Sequence, residues 1–113
     1  MLIDWTRVRD LNDEIGEDAF VEVADLFLQE IGQAIDRLRA PSAPLLEQEL
    51  HFVKGGALNL GFAALSTLCQ AGEREAANGR GARVDLAAIR QCHADSQAEF
   101  QAGLARMLGR SAA

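Results

Sequence analysis

The 113 residues include no tyrosine, one tryptophan, two prolines and two cysteines, and their acidic side chains outnumber the basic ones by seventeen to eleven. Each scarcity closes off a class of protein. Two cysteines cannot build a disulfide framework, and Cys69 and Cys92 stand in apolar helical stripes rather than at metal spacing, so they are expected as small, reduced core residues. Asp85, Asp95 and Glu99 form no ligand set with either histidine, and no metal is expected on this chain. No stretch approaches the roughly 20 apolar residues of a membrane span. The opening Met1-Leu2-Ile3-Asp4-Trp5 is not a basic region followed by an apolar run. A cytoplasmic chain with no membrane partner is the expectation. The net charge of −6, with lysine and arginine nowhere gathered into a stripe, argues against a nucleic-acid backbone or an anionic membrane as the partner.

What remains is ordinary globular material, 49% hydrophobic and 25% charged, of a length that fits one domain over residues 1–113. No internal repeat and no alternating apolar-polar run suggests a sheet. Asp4 can cap a short first helix from about Trp5 to Leu11, ending in Asn12-Asp13-Glu14. From Glu17 to Arg39 the residues Phe20, Val23, Ala24, Phe27, Leu28, Ile31, Ile35 and Leu38 recur at three- and four-residue steps, the stripe of one buried helix face. Glu17 and Asp18 suit its first turn, and Arg37 and Arg39 its last. The segment Ala40-Pro41-Ser42-Ala43-Pro44 breaks the chain. A third helix runs from about Leu45 to Leu60 and stops at Gly61. A fourth, Phe62 to Asn78, carries Phe62, Leu65, Cys69, Gly72 and Ala76 on one stripe. After the loop at 78–83, Asp85 caps a last helix to Leu108 with Leu86, Ile89, Cys92 or His93, Phe100, Leu104 and Met107 inward. The fold expected is all-α, an antiparallel up-down-up-down four-helix bundle with the short N-terminal helix as a lid on one end.

The third helix carries the chemistry. On a wheel of about 100° per residue with His51 at zero, Leu46, Leu50, Val53 and Ala57 fall between roughly 200° and 260° and form its core face. Leu45, Phe52 and Gly56 widen that face from near 100° to 140°. Glu47, Gln48, Lys54, Gly55 and Asn59 gather within about 80° of His51. His51 is therefore expected in solvent, where an isolated core histidine would not be. Lys54 can pair with an anion carried by the imidazole. Gly55 has no side chain where a partner would approach, and Gly56 serves close helix packing. Two successive helical glycines cost about 1 kcal/mol each relative to alanine, which asks for such reasons. Leu58, apolar on the polar side, is a candidate docking contact along with Gln48 and Asn59. A neutral imidazole is nucleophilic near neutral pH and can form and release a phosphoramidate without a cleft of its own. His93 has no lysine or glycine at the offsets that mark His51, and it is read as a helix residue without a direct role.

These residues resemble a known family, the histidine-containing phosphotransfer (HPt) domains of two-component phosphorelays. The run from His51 through Lys54, Gly55, Leu60, Gly61 and Leu65 is similar to the pattern H-x-[apolar]-K-G-x4-[apolar]-G-x3-L, and Cys69 and Glu73 continue it at the usual spacing. Gly56 and Gly72 depart from it, the first where a small hydroxyl or alanine is frequent, the second where a larger apolar residue is common. The resemblance implies that His51 is phosphorylated on the ring nitrogen far from the backbone. Lys54 neutralises the phosphoryl group and Gly55 clears the approach. It also implies response-regulator receiver domains as partners, with a magnesium ion on the receiver, and a sensor histidine kinase upstream. No cofactor is implied on this chain, and no glycine-rich ATP segment is present to make it a kinase. A monomer is expected. The competing readings are a bundle that binds and regulates a receiver or kinase without carrying phosphate, and a helical oligomerisation element, which would show a long exposed apolar stripe.

Overall fold

A computed structural model describes residues 1–38 and 43–109. Its elements are α1 (Trp5–Ile15), α2 (Glu17–Asp36), α3 (Ala43–Leu60), α4 (Ala63–Ala77), a single 3-10 turn (Gly81–Arg83) and α5 (Leu86–Met107), with no strand among the described residues. The two aspartates act as expected: Asp4 accepts from the Arg7 amide at 3.3 Å and Asp85 from the Ala88 amide at 3.0 Å, each relieving an orphan donor of a first turn.

Boundaries differ from the pattern in physically legible ways. The polar Asn12-Asp13-Glu14 stretch lies inside α1, which continues to Ile15 because Gly16, at φ 86°, is the first residue able to turn the chain into α2. Ala43 and Pro44 belong to the start of α3 rather than to the break before it, a place where proline's missing donor costs no helical bond. Helix α2 ends at Asp36 with Arg37 as its cap, and Arg39 lies outside the described residues.

Neighbouring helices run antiparallel, as the cross-contacts show. Arg37 meets Glu49 near the α2–α3 connection, whereas Ile31 meets Gly56 further along both helices. Leu50 packs where a Cβ on Gly72 would sit, at 3.0 Å, and α3 and α4 converge at Gly61. Gly61 has φ 84°, and the Phe62 amide donates back to the Ala57 carbonyl at 2.8 Å, closing the end of α3. The α5 helix returns beside α4, with Phe100 edge-on to Phe62 at 5.4 Å, and its Arg90 donates to the Leu38 carbonyl just past the end of α2. The core runs through all four long helices in Phe20, Ile31, Leu38, Leu50, Val53, Leu60, Leu65, Cys69 and Phe100, each buried. Cys69 and Cys92 are free and buried, and burial pushes the Cys69 thiol up to about 12.

Helix α1 covers the end of the bundle at the α3–α4 turn. The Asp4 amide donates to the Gly61 carbonyl at 2.8 Å, and Val8 is fully buried. Trp5 lies flat against Phe100, ring centroids 6.0 Å apart, in a seat that exists because Gly103 lacks a side chain.

Candidate functional site

The α3–α4 hairpin fixes the site. Glu73 lies as far after Phe62 as His51 lies before it, so the antiparallel pairing brings the α4 carboxylate opposite the α3 imidazole. His51 is exposed over 68% of its side chain and sits on the face away from the core, as the wheel predicts. Its Nδ1 is 2.7 Å from Glu73 Oε1, and the other carboxylate oxygen, Oε2, is 2.8 Å from Lys54 Nζ. One carboxylate thus bridges both α3 residues.

The charge state of Glu73 follows from its surroundings. Partial burial by itself would raise the carboxyl, but the Lys54 ammonium and the His51 ring outweigh it and hold the group below the usual carboxylate range. Ionised, it has acceptors only, so the hydrogen on Nδ1 is the donor in the His51 contact. In the neutral ring that leaves the lone pair on Nε2, for which no hydrogen-bond partner is present among the described residues.

The remaining expected residues spread around the ring. Gly55 is open, with nothing within 4 Å of the position a Cβ would take, whereas Gly56 faces Ile31 Cγ1 at 3.1 Å, which makes it the packing glycine. Gln48, exposed, lines a shallow depression with Glu47, His51 and Glu73. Asn59 lines a second depression, between α2 and α3, with Phe27, Glu30, Ile31, Phe52, Gly55 and Gly56, and His51 stands at its edge. Leu58 is 57% exposed as expected but is directed toward the α1 junction, beside Asp4, Arg7 and Gly61, and lines neither depression.

Two sequence expectations are corrected. Leu45 and Phe52 do not widen the core face: they are 54% and 46% exposed, because α2 meets α3 through Gly56 and the two apolar side chains lie outside that contact. Phe52 consequently belongs to the apolar wall beside His51. Glu73, which the sequence marks only by its spacing, carries the central contact. The available signal was its reflection of His51 across the Gly61-Phe62 turn. Gly72 is not a defect, since Leu50 and Val84 occupy the space of the missing side chain. His93 is half-buried on α5, lines neither of the depressions beside His51, and burial holds its ring below the ordinary imidazole value although Asp36 opposes that shift.

Among the described residues no group of three histidine, cysteine, aspartate or glutamate side chains is arranged to hold a metal ion, and no helix is long and apolar enough to cross a membrane. Comparison with curated proteins and with solved structures returned no match. The model of the Hpt domain family, in contrast, matches residues 18–110, from the first turn of α2 to beyond α5. With that match over most of its length and an all-helical bundle to carry it, the chain belongs to the Hpt domain family, whose members are phosphotransfer carriers of phosphorelays and not kinases.

Proposed function

We propose that this chain carries a phosphoryl group on His51, taking it from the aspartyl phosphate of a receiver domain or from a sensor histidine kinase and passing it to a response regulator. The observation that carries the reading is the exposed His51 ring whose Nδ1 is engaged by Glu73 at 2.7 Å, leaving Nε2 as the nucleophile. In the forward step the Nε2 lone pair attacks phosphorus, the bond from phosphorus to the donor's aspartyl oxygen breaks, and that oxygen leaves as a carboxylate. The ring now bears a formal positive charge with its proton still on Nδ1. Glu73 stabilises that charge as the orienting carboxylate of a catalytic triad stabilises an imidazolium. The reverse sequence loads the next receiver.

Lys54 is the cation beside the ring and is assigned to neutralise the phosphoryl oxygens, and the open surface at Gly55 lets the donor approach. Gln48 and Asn59, with Phe52, are assigned to the docking surface on the two sides of His51. Leu58 belongs to that surface only if the partner also reaches the α1 end. The magnesium ion would be held by the receiver, and the partner supplies the pocket around the transferring group. The test is incubation with a phosphorylated receiver domain. Acid-labile, base-stable label is expected on this chain and is lost in His51→Gln. Label that persists in the variant, or a chain that takes none from any cognate receiver, contradicts the assignment and favours a binding-only module.

A further inference from the structure

Helices α1 and α5, from opposite ends of the chain, share a hollow of about 270 Å³ lined by Trp5, Arg9, Gly103, Arg106 and Met107. On α1, Arg9 stands four positions after Trp5; on α5, Arg106 and Met107 stand three and four after Gly103, so each set lies along one helix face. The faces meet where the indole rests against Gly103, in space a methyl would need. Both arginines are exposed, and among the described residues neither is paired with a carboxylate. None of these five residues lines a depression beside His51.

Two guanidiniums brought to one hollow by separate helices repel each other. The dipole of α5 accounts for Arg106 in the last turn of that helix, but not for Arg9 arriving from α1. Asp13 follows Arg9 by four positions, yet with the cation on the N-terminal side the order is the weaker one for a helical ion pair, and the two are not joined. What the hollow presents is two cations on an apolar wall, in a chain whose net charge is −6.

We propose that this hollow is a binding site for a small aromatic phosphate of the nucleoside monophosphate class. A phosphomonoester carries a charge of about −1.5 to −2 at pH 7, which matches two cations where a carboxylate would match one. Each planar guanidinium can grip its oxygens with paired N–H donors. Trp5 gives the ring a flat apolar contact and Met107 an adaptable one. Two arginines suit a single phosphate and not the run of phosphates in a nucleic acid. The volume, below the roughly 300 Å³ at which ligand pockets usually begin, suits one ring system rather than a dinucleotide.

Trp5 is the only tryptophan, so the intact chain carries its own reporter at the site. The test is a fluorescence titration at constant ionic strength with adenosine 5′-monophosphate and phenyl phosphate, against adenosine and inorganic phosphate as the ring and the anion alone. Saturable change is expected with the aromatic phosphates at millimolar concentration or below, at least about tenfold tighter than with either half. Arg9→Met and Arg106→Met should each weaken that binding about tenfold with helical content unchanged by circular dichroism. His51→Gln should leave it intact, which separates this site from the carrier face. Adenosine binding as tightly as its monophosphate, undiminished binding in either arginine variant, loss of binding in His51→Gln, or no saturable change with either aromatic phosphate overturns the proposal.

Discussion

At the scale of single residues, the two adjacent glycines separate stability from function. Nothing lies within 4 Å of a Cβ built on Gly55, so Gly55→Ala is expected to raise stability by up to about 1 kcal/mol through helix propensity while slowing phosphotransfer from a docked receiver. Thermal unfolding and transfer rate measured on the same variant check this, and unchanged transfer would remove the clearance role. The division of labour was legible in the sequence because a wheel separates positions one residue apart by about 100°. The same wheel misplaced Leu45 and Phe52, since apolar character does not decide burial at the flank of a helix face. It could not show Glu73 at all, for a one-helix projection contains no second helix.

At the scale of elements, the four long helices were readable from periodicity and caps, and Asp4, Asp85 and Gly61 do what their types predict. The end of α1 was not, because a polar triplet is compatible with both a loop and an exposed helical turn, and only the backbone of Gly16 settles where the chain turns. The seat of α1 on α5 was equally hidden, for it depends on Trp5 and Gly103, nearly the whole chain apart. A methyl on Gly103 would overlap the indole, so Gly103→Ala must displace Trp5 and is expected to cost about 1–3 kcal/mol. Trp5 is the one tryptophan, and its fluorescence should shift toward that of an exposed indole in the variant. An unchanged spectrum and unfolding midpoint would show that the helix is not held there. Because Gly61 is pinned against Asp4 and Val8, the same lid also braces the hairpin turn that sets His51 opposite Glu73.

At the scale of the whole molecule, His93 and Glu73 are among the groups that tie stability to pH, and these two act in the acid direction. Burial holds His93 below its ordinary value, with Asp36 opposing, so the unfolded chain binds that proton more readily. Its contribution is complete above the unfolded imidazole value of about 6.5 and is lost as pH falls below it. Glu73 is depressed by Lys54 and His51 against the effect of burial, so its contribution is complete above the unfolded carboxylate range and is lost only at lower pH. Urea midpoints between roughly pH 7 and pH 5 should therefore decline, and His93→Leu should flatten that decline without touching the more acidic one. A slope unaltered by His93→Leu would place the linkage elsewhere. The molecule's central property remains a ring with Nδ1 engaged by Glu73 and Nε2 without a hydrogen-bond partner among the described residues. The most direct measurement is a phosphorus-to-nitrogen NMR correlation on the chain after phosphorylation by a receiver domain. The account predicts phosphorus bonded to Nε2 of His51, with the proton still on Nδ1 facing Glu73; phosphorus on Nδ1, or on any residue other than His51, would contradict it.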